Sequence, residues 1–214
     1  MSAVARTAGR PTAGEVWAFV HAERRALVAD LADLADLDAE QWRAPSLCAG
    51  WDVHDVVAHL VDTALTGRLR FVRDLVIARG DFDRANARGV RRERRSDPRE
   101  TLAALAAVAD LTRTPPASLA TRLVEAIVHG EDVRRPVNRP RAYSPHMTAH
   151  ALDYQLRTPV AFGGGRERAG GLRLVDLDTG TSWGHGREVN ARGIDLLLAV
   201  SGRPVHPDPL AIPG

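Results

Sequence analysis

Between Ser118 and Asp132 the chain is apolar almost all the way round a helix, which begins near Pro116 and is followed by Pro136. A proline cannot continue a helix, so the element ends near Arg135. A helix with so little polar surface has to be enclosed by other elements, and the rest of the chain must supply them. One polar stripe breaks the pattern. At about 100° per residue, Ser118, Thr121, Glu125, His129 and Asp132 fall in one narrow sector, and Glu125 and His129 are neighbours at i, i+4. An ionised carboxylate buried without a partner costs several kcal/mol. The stripe therefore calls for a cation, a hydrogen-bond network or solvent. A divalent metal would satisfy it, and so would a direct Glu125–His129 hydrogen bond or a water-lined groove; spacing leaves these open.

The neighbours are legible from their start signals. Thr12 with Glu15 three positions on forms a capping box ahead of Val16, Trp17, Val20, Leu27, Leu31 and Leu34. Asp52 with Asp55 starts a second helix carrying Val53, Val56, Val57, Leu60, Val61 and Leu65. Asp97, Pro98 and Glu100 supply a cap, a first-turn proline and a reciprocal carboxylate ahead of Leu102, Leu105 and Val108. Four such helices predict a bundle. Another helix runs from Ser144 and Pro145 through Leu156. Glycines at 163–165 and 170–171 then mark a boundary, giving a helical domain over residues 1–162 and a small α/β domain over 163–214. In the latter, Leu172 to Leu177, the turn Asp178-Thr179-Gly180 and Thr181 to Trp183 read as a β-hairpin, and Ile194 to Val200 as a closing helix.

Composition narrows the function classes. The 29 basic side chains are all arginine, yet 27 carboxylates leave a net charge of only +2, which argues against nucleic acid as the partner. The densest run, Arg88 to Arg95, is interrupted by Glu93, lacks an aromatic residue for base stacking, and reads as a solvated loop between helices. A single cysteine, Cys48, excludes an internal disulfide and a cysteine-based zinc cluster, and fits a reducing compartment. It reads as a small buried residue in a loop. With no apolar stretch near the roughly 20 residues a bilayer requires, the expected location is the cytoplasm, with no membrane partner.

The remaining histidines divide by context. His59 lies at the edge of the second helix's apolar sector, and periodicity alone does not distinguish a ligand from a structural residue there. His54, nearer the helix start, is expected to be exposed. His146 and His150 form a rival i, i+4 pair with no carboxylate closely before them, read as a solvated or cleft-lining face. His21, His185 and His206 have no partner recognisable in sequence.

Two motifs carry a family resemblance. Leu47-Cys-Ala-Gly-Trp-Asp-Val-His-Asp-Val-Val-Ala-His-Leu60, followed by Glu125-Ala-Ile-Val-His-Gly-Glu-Asp-Val-Arg-Arg-Pro136, resembles the mycothiol-dependent maleylpyruvate isomerase family of the DinB-like superfamily. The resemblance covers the bundle, and the C-terminal part is similar to the small α/β domain that follows it in many members. It implies a mainly α fold, a DinB-like four-helix bundle followed by that small domain. It implies a divalent metal, commonly zinc, held by His59, Glu125 and His129, with Asp132 as a catalytic candidate at the site's edge. Three protein ligands and an open position characterise catalytic zinc. The implied cosubstrate is a low-molecular-weight thiol, mycothiol, whose metal-stabilised thiolate attacks a small electrophile in isomerisation or thiol transfer. A non-catalytic metal-containing binding or sensor protein is the alternative.

Overall fold

The structure is a computed structural model that describes residues 9–32 and 39–211. The described residues divide into two compact units, one over residues 16–32 and 39–141 and the other over residues 9–15 and 142–211. The fold is mainly α, with a helical bundle and a small three-stranded sheet toward the C-terminus.

In the first unit the bundle comprises α1 (Ala13–Ala32), α3 (Val53–Leu65), α6 (Pro98–Val108) and α7 (Ala120–Arg134), with the single turn α2 (Ala39–Trp42) before α3. The start signals act as the sequence implies. Thr12 N–H and Oγ1 both donate to the Glu15 carboxylate at 2.7 Å, and Glu15 N–H returns a bond to Thr12 Oγ1 at 3.3 Å. Asp52 and Asp55 close a full capping box on α3. Asp97 accepts from Arg99 N–H at 2.9 Å, with Pro98 in the first turn of α6. Leu34, assigned to the first helix from sequence, lies outside the described residues.

The hub is α3. Eleven of its thirteen residues are buried, and it packs against both α6 and α7. Val53, Val56, Val57, Leu60 and Val61 meet Leu27, Leu31, Trp42, Leu102, Leu105 and Val133 in one core. Burying such side chains contributes roughly 1.5–3 kcal/mol each before entropy is charged against it.

Two helices arise where no apolar period announced them, α4 (Arg68–Ile77) and α5 (Phe82–Glu93). The arginine run expected to be a loop is thus largely helical. Arginine is a good helix former, and two of the charges, on Arg92 and Arg94, are paired across elements instead of solvated. Arg92 meets Asp62 at 2.5 Å and Asp74 at 3.1 Å, while Arg94 meets Asp52 at 2.7 Å and Asp55 at 2.6 Å. Gly89 lets α5 come close to α3, because a Cβ there would collide with the Asp62 carboxylate.

In the second unit α8 (Pro145–Arg157) packs on α9 (Gly193–Val200). The sheet has order β2-β1-β3, with β1 (Leu172–Asp176) antiparallel to β2 (Ser182–Gly184) in the expected hairpin. The third strand, β3 (Arg187–Ala191), runs parallel to β1, which the sequence reading did not include. Gly164 and Gly165, read from sequence as a boundary, lie inside this unit: a Cβ on either would collide with the backbone carbonyl of Thr158 or of Val200. No helix among the described residues is long and apolar enough to cross a membrane.

Candidate functional site

The polar stripe of α7 faces one residue of α3. The rings of His59 and His129 lie 4.7 Å apart between centroids and meet edge to face. Trp51, in the loop entering α3, adjoins both, at 4.9 Å from His59 and 6.5 Å from His129. That loop is held in place by local bonds. Trp51 N–H donates to Cys48 O, Ser46 N–H donates to Trp51 O, and Leu47 N–H reaches Asp132 O on α7 at 3.3 Å. Gly50, at φ 80°, supplies the left-handed turn that aims Trp51 at the histidines. Cys48 is half-buried here, packed against the bundle core.

His129 Nδ1 sits 2.8 Å from Asp132 Oδ2, and the Asp132 side chain is wholly buried. A carboxylate so placed fixes the imidazole's orientation and holds its proton on Nδ1, leaving Nε2 with a lone pair.

Glu125 is engaged elsewhere. Its carboxylate meets Arg122 Nη1 at 2.9 Å, and the same guanidinium nitrogen donates to Thr63 O at 3.0 Å. The contact with Arg122 is an ion pair and the buried Glu125 Oε2 makes no hydrogen bond, while the His129 ring is bonded to Asp132, so the direct Glu125–His129 bond allowed by the spacing is not formed. A second buried guanidinium, Arg24, donates to Ala109 O and Leu111 O. Burial drives its pKa down to about 10, against the pull of Glu125. Among the described residues, no three or more His, Cys, Asp or Glu side chains are arranged to hold a metal ion. Two of the three residues read as ligands are thus brought together, and the third is held by Arg122.

The donor chemistry itself fits a divalent ion such as zinc, since two imidazoles and one carboxylate are a known catalytic set. The Asp132–His129 bond is also the outer contact a ligating histidine makes. Sequence reasoning missed Arg122 and Arg24. The only signal for Arg122 was its i, i−3 spacing from Glu125.

The other histidines settle into structural places. His54, expected to be exposed, is buried against α6, where its Nε2 lies 2.8 Å from Thr101 Oγ1. Burial lowers its pKa, with Arg94 acting in the same direction. The reason is rotational: His54 follows Val53 on a helix enclosed on nearly every side. His21 stacks on Trp17 and lies 4.0 Å from Asp110. His146 and His150 are half-buried, and His185 and His206 are exposed.

The family described as mycothiol maleylpyruvate isomerase N-terminal domain matches residues 20–114. The chain resembles the mycothiol maleylpyruvate isomerase family. This N-terminal-domain match takes in the Trp51 loop and His59 but stops before α7, so Glu125, His129 and Asp132 lie outside it. A crystal structure of the mycothiol-dependent maleylpyruvate isomerase is 14% identical, with a TM-score of 0.45 over 91% of this chain and 90% of that one. A crystal structure of a mutant of that isomerase is 13% identical, with a TM-score of 0.46 over the same shares. The comparison with curated proteins gives no match.

Proposed function

We propose that His59 and His129, completed by Glu125, hold a divalent cation, zinc by donor chemistry, in an enzyme that uses a low-molecular-weight thiol on a small electrophile. The observation that carries this reading is the meeting of His59 and His129 from separate helices, with His129 Nδ1 fixed on buried Asp132. The thiol class follows from the matched family, the mycothiol maleylpyruvate isomerase N-terminal domain. Isomerisation and thiol transfer share the same first step, attack by a thiolate. The bound cation would supply stabilisation of that thiolate at neutral pH.

This chain's own residues set the conditions. Asp132 acts through His129, keeping the proton on Nδ1 and the other nitrogen available. Trp51 covers the two imidazoles with an apolar face, which limits water around them and strengthens charge interactions. Arg122 sets a positive charge 2.9 Å from the Glu125 carboxylate. A single cysteine fits a reducing, cytoplasmic setting in which a small thiol stays reduced.

The engagement of Glu125 by Arg122 favours a second reading, a metal-containing binding or sensor protein without turnover. Consumption of a panel of activated alkenes and other small electrophiles, with and without mycothiol, separates the two. Thiol-dependent loss of an electrophile, abolished in His129→Ala, supports the enzyme. Cation binding with no thiol-dependent loss of any electrophile supports the sensor and refutes the enzyme.

A further inference from the structure

Helix α4 turns its apolar side outward. It has no buried residue, and Leu69, Val72, Val76 and Ile77 are 89%, 51%, 71% and 48% exposed. At about 100° per residue, Leu69, Val72 and Val76 form a ridge within a sector of about 60°. Arg73 and Ile77 flank one side of the ridge and Arg68 the other, and Arg79 follows just beyond the end of the helix. Among the described residues Arg68 and Arg79 are exposed and have no ion-pair partner, and the same holds for Arg84, Arg88 and Arg91 on the adjoining α5.

We propose that α4 lies on an anionic lipid surface, with the ridge in the headgroup layer and the arginines spread around it toward the phosphates. An aliphatic ridge bracketed by arginine is the composition of a helix that rests in a membrane interface. The long arginine side chains keep their charge at the headgroups while the ridge enters the apolar layer. Charge selects this occupant over a second copy of the chain, because α4 facing α4 would set Arg68, Arg73 and Arg79 against their counterparts. Nucleic acid offers the ridge nothing, since four aliphatic side chains neither stack on bases nor bond to them. That no helix among the described residues is long and apolar enough to cross a membrane does not bear on such surface contact.

Co-sedimentation of the full chain with vesicles is the test. Vesicles of phosphatidylcholine alone are compared with vesicles in which about a third of the lipid is phosphatidylglycerol. The chain is expected to sediment with the anionic vesicles only, and to be released by raised salt. Leu69→Gln with Val76→Gln, and separately Arg68→Gln with Arg79→Gln, are expected to weaken binding about tenfold or more. These positions are exposed, so the variants retain the fold. No binding by the wild-type chain, or binding unchanged in both variants, overturns the proposal. So does self-association in sedimentation velocity that Leu69→Gln with Val76→Gln abolishes, which would assign the ridge to a second copy.

Discussion

Glu125 lies one turn from His129 yet gives its carboxylate to Arg122. A cation at the histidines must compete with that guanidinium for the carboxylate and also meets its positive charge, so both effects weaken binding. Arg122→Gln is therefore expected to raise zinc affinity by about tenfold or more in a calorimetric titration. Glu125→Gln should lower affinity and cancel the gain in the double variant. Unchanged affinity in Arg122→Gln would show that Glu125 is not a ligand. His54 gives a second residue-scale expectation. Burial depresses its folded pKa, so the unfolded chain, titrating near about 6.5, takes up the proton more readily. Stability is thus complete above that value and declines as pH falls through it toward the lower folded pKa. Urea midpoints compared at about pH 7.5 and pH 5.5 should fall more in the wild type than in His54→Gln. An equal fall would remove His54 from the pH dependence. At this scale the sequence disclosed identities better than partners. Glu125 and His129 follow from helical spacing, and His59 from the motif. The pairing of Arg122 with Thr63 O, or of His54 with Thr101, joins residues far apart in the chain and leaves no periodic trace.

The elements were legible where their ends carry local chemistry. Thr12, Asp52 and Asp97 start helices through bonds to residues two or three positions on, which sequence displays directly. The pair α4 and α5 escaped because few of their residues are buried, so no apolar stripe marks them. They are tied to α3 and to each other by ion pairs linking Asp62, Asp74 and Glu93 to Arg70 and Arg92, and α5 also buries Gly89 and Val90. Burial raises the Asp62 pKa against the pull of those arginines, and Gly89 of α5 packs against the Asp62 carboxylate. Gly89→Ala should push Asp62 off Arg70 and Arg92 and cost about 1–3 kcal/mol in chemical denaturation. A loss below about 0.5 kcal/mol would mean that α5 shifts freely on α3. Strand β3 escaped for another reason. Its partner β1 is parallel, and a parallel pairing has no hairpin turn to announce it.

For the molecule as a whole, the bundle was foreseeable because a helix as apolar as α7 needs neighbours, and the chain contains other long helices with apolar faces. The division into units was less so. Glycines that resemble a linker in sequence serve close packing inside the second unit, and only tertiary contact distinguishes the two uses. The family match covers the Trp51 loop and His59, while α7, which carries the rest of the candidate centre, lies outside the matched residues. The central claim is that these two parts together hold one cation. Zinc content of the purified chain, loaded with excess zinc and freed of the unbound ion, tests it most directly when measured beside His59→Ala and His129→Ala, with helix content followed in all three. The expected result is about one zinc per wild-type chain and none in either variant at unchanged helicity. Zinc retained in full by both variants, or absent from the wild-type chain, would contradict it.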